Sequence, residues 1–513
     1  MSLTIAQQIS AINAAVTRAA PFVNSSGSAA LASAQAILTT AVAAGAISSA
    51  NLATLSGYLQ SIQSATSDVG DVFLGQARAG VDALVNPSHG VVYDAEAVAA
   101  AVGYPNFANI GFFGDSITND MGGPGAVTVS FKSYGWAIWA NALAGWPCNI
   151  VVNAGVAGNT TTDMLERIDA YLNSYALGAT TIMGGTNDIG GASPATAAEV
   201  IANLGAMYEK CKAKSVYVHA FTITPRPTIA AAQQKDLITI NEWIKRYWLG
   251  SAQGEAVDSF SALVDPTSTT QAARSNMLRD NTHLTNLGAY TVGKLFAPRL
   301  SARFGAFARK LVSSVQDYYG NNTQSTNAMR PLMVDGTAGS KAGTATGNIN
   351  TGWSCTSTLA GNAGAGCIGS IAARSDGYGN DQVLTCASSA AGQTFDLYQA
   401  GNLIGSPFAV GDQITMEAQI TVDAGFTGLR NISIYTYSAS SSGNGPNIFP
   451  ANVANDVALP GTAELTLTLV SPTITIPAGM TDLGFYVHGE FNNAASAVVR
   501  VGRVTFRKQL PAY

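Results

Sequence analysis

The stretch GFFGDSITND, Gly111–Asp120, decides the fold. Its first half is an apolar run of strand length, and its second half turns to small and polar residues. A parallel strand that ends this way delivers side chains to the carboxyl edge of a sheet, where open α/β folds bind ligands. Ser116 is therefore either a turn serine or a nucleophile.

Outward from this stretch, strands and helices alternate. ANIGFFG, NIVVNAG, TTIMGG and SVYVHAFTI read as strands, and YGWAIWANALAG and TTTDMLERIDAYL as helices between them. SPATAAEVIANLGAMYEKCKAK reads as a helix with Ser193 at its cap and Pro194 in the first turn. A helix around DLITINEWIKRYWL and a long one from about Thr285 to Tyr319 complete the pattern. Such alternation predicts a parallel sheet covered on both faces, with functional residues on loops at the strand carboxyl ends.

The flanks differ in composition. Residues 1–95 are rich in Ala and Ser, and two seams repeat at spacings of three and four: Ile5, Ile9, Ile12, Val16 and Ala19, then Leu52, Leu55, Leu59 and Ile62. Pro21 and the run NSSGS break the first helix, and Gly45 followed by Ser48 and Ser49 marks one helix ending and another being capped. The segment is either an oligomerisation stem or a helical hairpin folded on its own chain. The middle domain is expected over residues 96–320, with NNTQSTN, Asn321–Asn327, as a linker. Over residues 328–513, QITMEAQITV, LRNISIYTYS, AELTLTLVSPTITI and AVVRVGRVTFRK alternate at period two, which predicts an antiparallel β-sandwich of jelly-roll type.

With 11% charged residues, a net charge of -5 and no Lys/Arg cluster, the 513-residue chain is not expected to bind nucleic acid. The first residues lack a basic segment followed by a continuous apolar core, so no secretory signal is read and the export route is open. Ser, Thr, Asn and Gln interrupt the uncharged run from Ala19 to Ser67, which argues against membrane insertion. Five scattered cysteines make no zinc pattern, and Cys355, Cys367 and Cys386 are either one bridge and a thiol or buried free thiols.

Four motifs follow one another at predicted strand ends: Gly114-Asp115-Ser116-Ile117-Thr118, AGVAGNTTTDML with Gly155 and Gly158, GGTND with Asn187, and DNTHLTNLG with Asp280, His283 and Gly288. Together, over about residues 106–300, they resemble the SGNH hydrolases, also called GDSL esterases and lipases. The resemblance implies a three-layer, flavodoxin-like α/β domain. It implies Ser116 as nucleophile, His283 as base, Asp280 as its carboxylate, and Ser116, Gly158 and Asn187 as the oxyanion hole. Ile117 replaces the leucine of the family name.

The chemistry asks for the same residue types. A serine hydroxyl needs a base to take its proton, and His283 alone among four histidines lies in a polar pre-helical loop with a carboxylate three residues earlier. Should Asp280 only form the turn, Asp258 or Asp265 would substitute. Asp115 and Asp188 are expected to hold loops. His219 reads as a core histidine, and His89 and His488 lie outside the hydrolase segment. No GxSxG elbow, no GxxxxGK(S/T) loop and no paired histidines at metal spacing occur, so no cofactor or metal is implied.

The family takes many esters. The expected substrate is an O-acetyl or related ester of a carbohydrate, with Trp353, Tyr378, Tyr398, Tyr435, Tyr437, Phe449 and Tyr486 as candidate glycan contacts. The alternatives are a lipase or thioesterase for longer acyl chains and an inactive structural or receptor-binding protein. The order of helical stem, enzyme and β-rich end resembles a phage tail-fibre or tailspike protein, which implies an extracellular or virion-associated oligomer.

Overall fold

The computed structural model describes residues 5–20, 23, 25–63, 108–122, 130–191, 194–305, 311–314, 316–318, 327–328, 336–361, 366–401, 407–438, 443–448, 456–492 and 494–508. Ser193, His89, Phe449, the Tyr437 side chain and linker residues 321–326 lie outside these. The chain divides into two units between Asn106 and Phe107.

The first unit holds α1 (Ile5–Ala19), α2 (Ser28–Ala44) and α3 (Ser49–Gln63). Gly45, at φ 64°, ends α2, and Ser48 Oγ accepts the Asn51 N–H at 3.2 Å to start α3. Ile9, Ile12 and Val16 of α1 and Leu52, Leu55, Leu59 and Ile62 of α3 are buried in one cluster with Ala34, Leu38 and Ala41 of α2. The described residues of both seams thus pack inside this unit, and the side chains of Ile5 and Ala19 lie outside the described ones.

In the second unit a five-stranded parallel sheet runs in the order β3-β1-β4-β5-β6, from β1 (Asn109–Gly114), β3 (Asn149–Gly155), β4 (Ala179–Met183), β5 (Tyr217–Phe221) and β6 (Gly254–Val257). β2 (Ser130–Phe131) lies outside this sheet. Gly114 is level with Gly155 on one side and Met183 on the other, so three motif-bearing loops leave neighbouring strands at one height. The chain reverses direction across the sheet at β1, and such a switch point opens a crevice.

Between and after the strands run α4 (Ser116–Asn119), α5 (Trp136–Leu143), α6 (Thr161–Ser174), α7 (Thr186–Gly190), α8 (Ala197–Ala213), α9 (Ala231–Tyr247), α10 (Ser259–Leu263) and α11 (Asn286–Phe304). Trp136 and Trp139 of α5 and Phe296 and Leu300 of α11 pack in one apolar cluster. Met164 of α6, Leu204 of α8 and Ile240 of α9 pack in another. The three-layer α/β domain is therefore present.

Two helix boundaries differ from expectation. α8 starts at Ala197, because Thr196 and Glu199 cap each other reciprocally, and Pro194 lies ahead of it. α11 stops at Phe304, with Gly305 as its C-cap, well short of Tyr319.

The C-terminal region is mostly strands in two seven-stranded sheets. Its strands are β7 (Ala338–Gly343), β8 (Ala345–Gly347), β9 (Ile349–Ser357), β10 (Cys367–Ala373), β11 (Asn380–Ser388), β12 (Gln393–Gly401), β13 (Gln413–Val422), β14 (Leu429–Ser438), β15 (Gly443–Ile448), β16 (Leu465–Val470), β17 (Ile474–Thr475), β18 (Leu483–Phe491) and β19 (Ala495–Lys508). One sheet is ordered β16-β13-β19-β11-β10-β8 with β17 on β13, and the other β2-β15-β14-β18-β12-β9-β7.

The sheets are mixed rather than wholly antiparallel: β8–β10, β7–β9 and β2–β15 pair in parallel. Alternate residues such as Met416, Ile420, Val499, Leu397, Ile434 and Val487 turn inward, as period two requires. All five cysteines are free and buried, with the Cys355 and Cys367 sulfurs 4.0 Å apart. One apolar cluster runs from α5 and α11 into this region without interruption.

Candidate active site

Ser116 opens α4 directly beyond β1. Asp115 caps that helix, its Oδ1 accepting the Ile117 N–H at 2.9 Å, and this sets the direction in which the serine leaves the strand. Ser116 Oγ lies 2.8 Å from His283 Nε2, and His283 Nδ1 lies 2.8 and 3.0 Å from the two oxygens of Asp280. With Nδ1–H held by a carboxylate, Nε2 presents its lone pair to the serine hydroxyl. Residues from two distant motifs thus meet in one relay.

The Asp280 side chain is 51% exposed and that of His283 25%. Partial burial pushes the Asp280 carboxyl upward, but the His283 backbone N–H, its ring and the Thr282 N–H outweigh this and hold it below its ordinary value. Asp258 instead caps α10 and Asp265 holds Thr267, so neither substitutes for Asp280. His219 is buried with Nδ1 2.9 Å from Glu255, and His488 pairs with Asp396.

Gly155 and Gly158 do different work. A Cβ on Gly155 would lie 2.2 Å from the Asn119 nitrogen, so this glycine lets β3 pass close to the helix that Ser116 opens. Gly158 adopts φ +82°, and nothing stands within 4 Å of where its Cβ would be, which leaves its backbone open to approach. Asn187, in the first turn of α7, donates from Nδ2 to Asn159 O at 2.9 Å, placing its amide beside the Gly158 loop. An amide nitrogen carries two hydrogens, and the second is uncommitted among the described residues.

Two buried acids hold this frame. Asp188 accepts the Thr161 N–H at 2.9 and 3.0 Å and its hydroxyl at 2.6 Å, fastening the start of α6 to α7. Burial raises its carboxyl, with the Thr161 bonds opposing. Burial also pushes Asp115 up to about 7, against the Ile117 N–H and the His283 charge, and its Oδ2 has no hydrogen-bond partner among the described residues.

Three arginines that sequence reasoning missed complete the frame. Arg167 donates to Asn159 Oδ1, Ala154 O and Gly114 O at 2.7, 2.8 and 2.6 Å, tying the ends of β1 and β3 to the Gly158 loop. Its spacing from Asp163 reads as an ordinary surface i,i+4 pair, but Asp163 is taken by the Thr160 cap and the guanidinium turns inward over Phe113. Arg226 donates to Thr186 O at 2.8 Å and to its hydroxyl at 3.1 Å, just ahead of Asn187. Arg279, beside Asp280, pairs with Asp120 beyond α4 at 2.7 Å.

The arrangement can activate a hydroxyl and offer donors nearby. The profile of the GDSL-like lipase/acylhydrolase family matches residues 112–290. No curated protein matches the chain. Similar solved structures include a GDSL-like lipase from Bacteroides thetaiotaomicron, at 20% identity over 42% of this chain and 98% of that one, with a TM-score of 0.31. An acetyl xylan esterase is 18% identical over 37% of this chain and 98% of its own, with a TM-score of 0.31. An acetyl-xylooligosaccharide esterase variant from Geobacillus Stearmophilus is also 18% identical, over 37% and 93%, with a TM-score of 0.32. Residues 112–290 form a domain of the GDSL-like lipase/acylhydrolase family.

Proposed function

We propose that this chain is a serine esterase that hydrolyses O-acyl esters, with O-acetyl groups on a carbohydrate as the substrate class. The observation that carries the reading is the relay from Ser116 Oγ through His283 to Asp280, with both joints at 2.8 Å. Hydrogen bonds of this length let the imidazole take the hydroxyl proton as oxygen attacks an acyl carbon.

In the first half-reaction Ser116 Oγ bonds to the acyl carbon and its proton moves to His283 Nε2. The oxyanion meets the backbone N–H groups of Ser116 and Gly158 and the free hydrogen of the Asn187 amide. The carbon–oxygen bond to the alcohol breaks, and His283 returns the proton to that leaving oxygen. Water repeats the sequence on the acyl-enzyme and releases the acid. Asp280 keeps the ring oriented and stabilises the imidazolium.

Support for a carbohydrate alcohol comes from the second sheet of the C-terminal region. Tyr398, Tyr486 and Tyr435 stack across β12, β18 and β14 with ring centroids 4.8 and 4.9 Å apart, and all three are partly buried. Tyr378 is exposed, with Arg503 over its ring. Trp353 is buried and drops out as a glycan contact. Among the described residues no helix is long and apolar enough to cross a membrane.

The test is hydrolysis of p-nitrophenyl acetate, butyrate and octanoate by the full chain beside Ser116→Ala, followed by acetate release from a panel of acetylated polysaccharides. Turnover of acetate far above the variant is expected. Equal rates would remove the esterase reading, and a preference for octanoate would replace the acetyl reading with a lipase or thioesterase.

A further inference from the structure

The loop that carries Asp280 and His283 does not follow a strand. It comes after α10, and a Leu278–Leu284 bridge and the Arg279 N–H to His283 O bond at 2.9 Å close it on itself. Those bonds fix its shape but not its distance from Ser116. Its position depends on what holds its two ends.

One end is held by Arg279 on Asp120. At the other, Thr285 caps α11, and Asn286, the first residue of that helix, is wholly buried. Asn286 Nδ2 donates to Arg430 O at 2.9 Å and to Val457 O at 2.8 Å, and its Oδ1 accepts the Val457 N–H at 2.7 Å. Both amide hydrogens and the amide oxygen are thus engaged, all of them by backbone of the β-rich region. The two segments it joins are themselves bonded, Leu459 N–H to Leu429 O at 2.8 Å. Ser133, in the loop before α5, adds a bond to Asp456 at 3.3 Å.

We propose that the C-terminal β-region is a working part of the hydrolytic site, in which Asn286 is a positioning residue that fixes the His283 loop through the backbone of Arg430 and Val457. The proposal rests on the reading of Ser116 and His283 as nucleophile and base. A side chain three residues from the base, with every polar atom committed to the neighbouring sheet, ties the distance from Nε2 to Oγ to the placement of that sheet. An error of about 1 Å in such a distance costs on the order of 100-fold in rate.

The test uses the full chain with p-nitrophenyl acetate, comparing wild type, Asn286→Ala and Ser116→Ala. The folded Asn286→Ala variant is expected to lose about 10- to 100-fold in kcat with KM within about twofold of wild type. Labelling of Ser116 by a small fluorophosphonate should fall in parallel. A folded variant with wild-type kcat overturns the proposal.

Hydrogen exchange on the wild-type chain covers a variant that does not fold. The Val457 and Ala289 amides are expected to exchange through one common opening, and an Ala289 amide that opens about 100-fold more readily while Val457 stays protected also overturns the proposal. Wild type no faster than Ser116→Ala would remove the esterase reading, while the exchange result would still decide whether the sheet braces the loop.

Discussion

Ser116, Gly158 and Asn187 leave three neighbouring strands whose ends share one level, and Arg167, Arg226 and Asp188 lace those loops together from within the α/β domain. Asp280 and His283 sit on a half-exposed loop after a short helix, with Arg279 on one flank and the β-region's backbone on the other. Ser116, Gly158 and Asn187, the proposed nucleophile and donors, thus sit at the sheet's edge, whereas His283, the proposed base, is held from outside it. Changes on the first side should act on transition-state charge, and changes on the second on the approach of base to nucleophile.

The largest effect tests the premise. Ser116→Ala is expected to lower kcat on p-nitrophenyl acetate by about 10⁶-fold, the scale found where a nucleophile is removed from a triad. Asn187→Ala should cost about 100- to 1000-fold with little change in KM, the loss of one oxyanion donor. A rise in KM alone would mean that the amide binds substrate and transition state equally.

Arg167→Met probes the lacing. Because it touches the reacting centre only through Asn159 and backbone carbonyls, about 10- to 100-fold in kcat is expected. A loss as large as that of Ser116→Ala would mean a global failure of the fold, which thermal unfolding would reveal.

The last effect is on stability rather than on rate. Asp115 has a folded value near 7 against an ordinary 3.8, so the folded state holds a proton that the unfolded chain releases between those values. Stability from this group is full below about pH 4 and is lost as pH rises to about 7. Urea unfolding from pH 4 to pH 8 should show that decline, and Asp115→Asn should flatten it.

The parallel order was readable because apolar strands such as NIGFFG alternate with amphipathic helices, and the four motifs mark the ends where the site forms. β6 escaped notice because Gly-Glu-Ala-Val is too short and too polar at its second position to read as a strand. The end of α11 was misplaced because helical spacing continues past Gly305, which terminates the helix. Ser193 reads as a cap because it precedes a proline, whereas the Thr196 to Glu199 spacing carries the capping box that forms.

Arg167 and Asn286 were illegible for another reason. Each acts through backbone carbonyls of segments distant in sequence, and no local pattern announces such a partner.

Ser130 and Phe131 leave the hydrolase segment to lie beside Asn447 and Ile448, covering an edge of the second sheet. An uncovered edge offers unpaired amides and carbonyls to any passing chain, and these two residues occupy part of that edge. Separating the two halves would expose that edge and remove the hydrogen-bond partners of Asn286 at once.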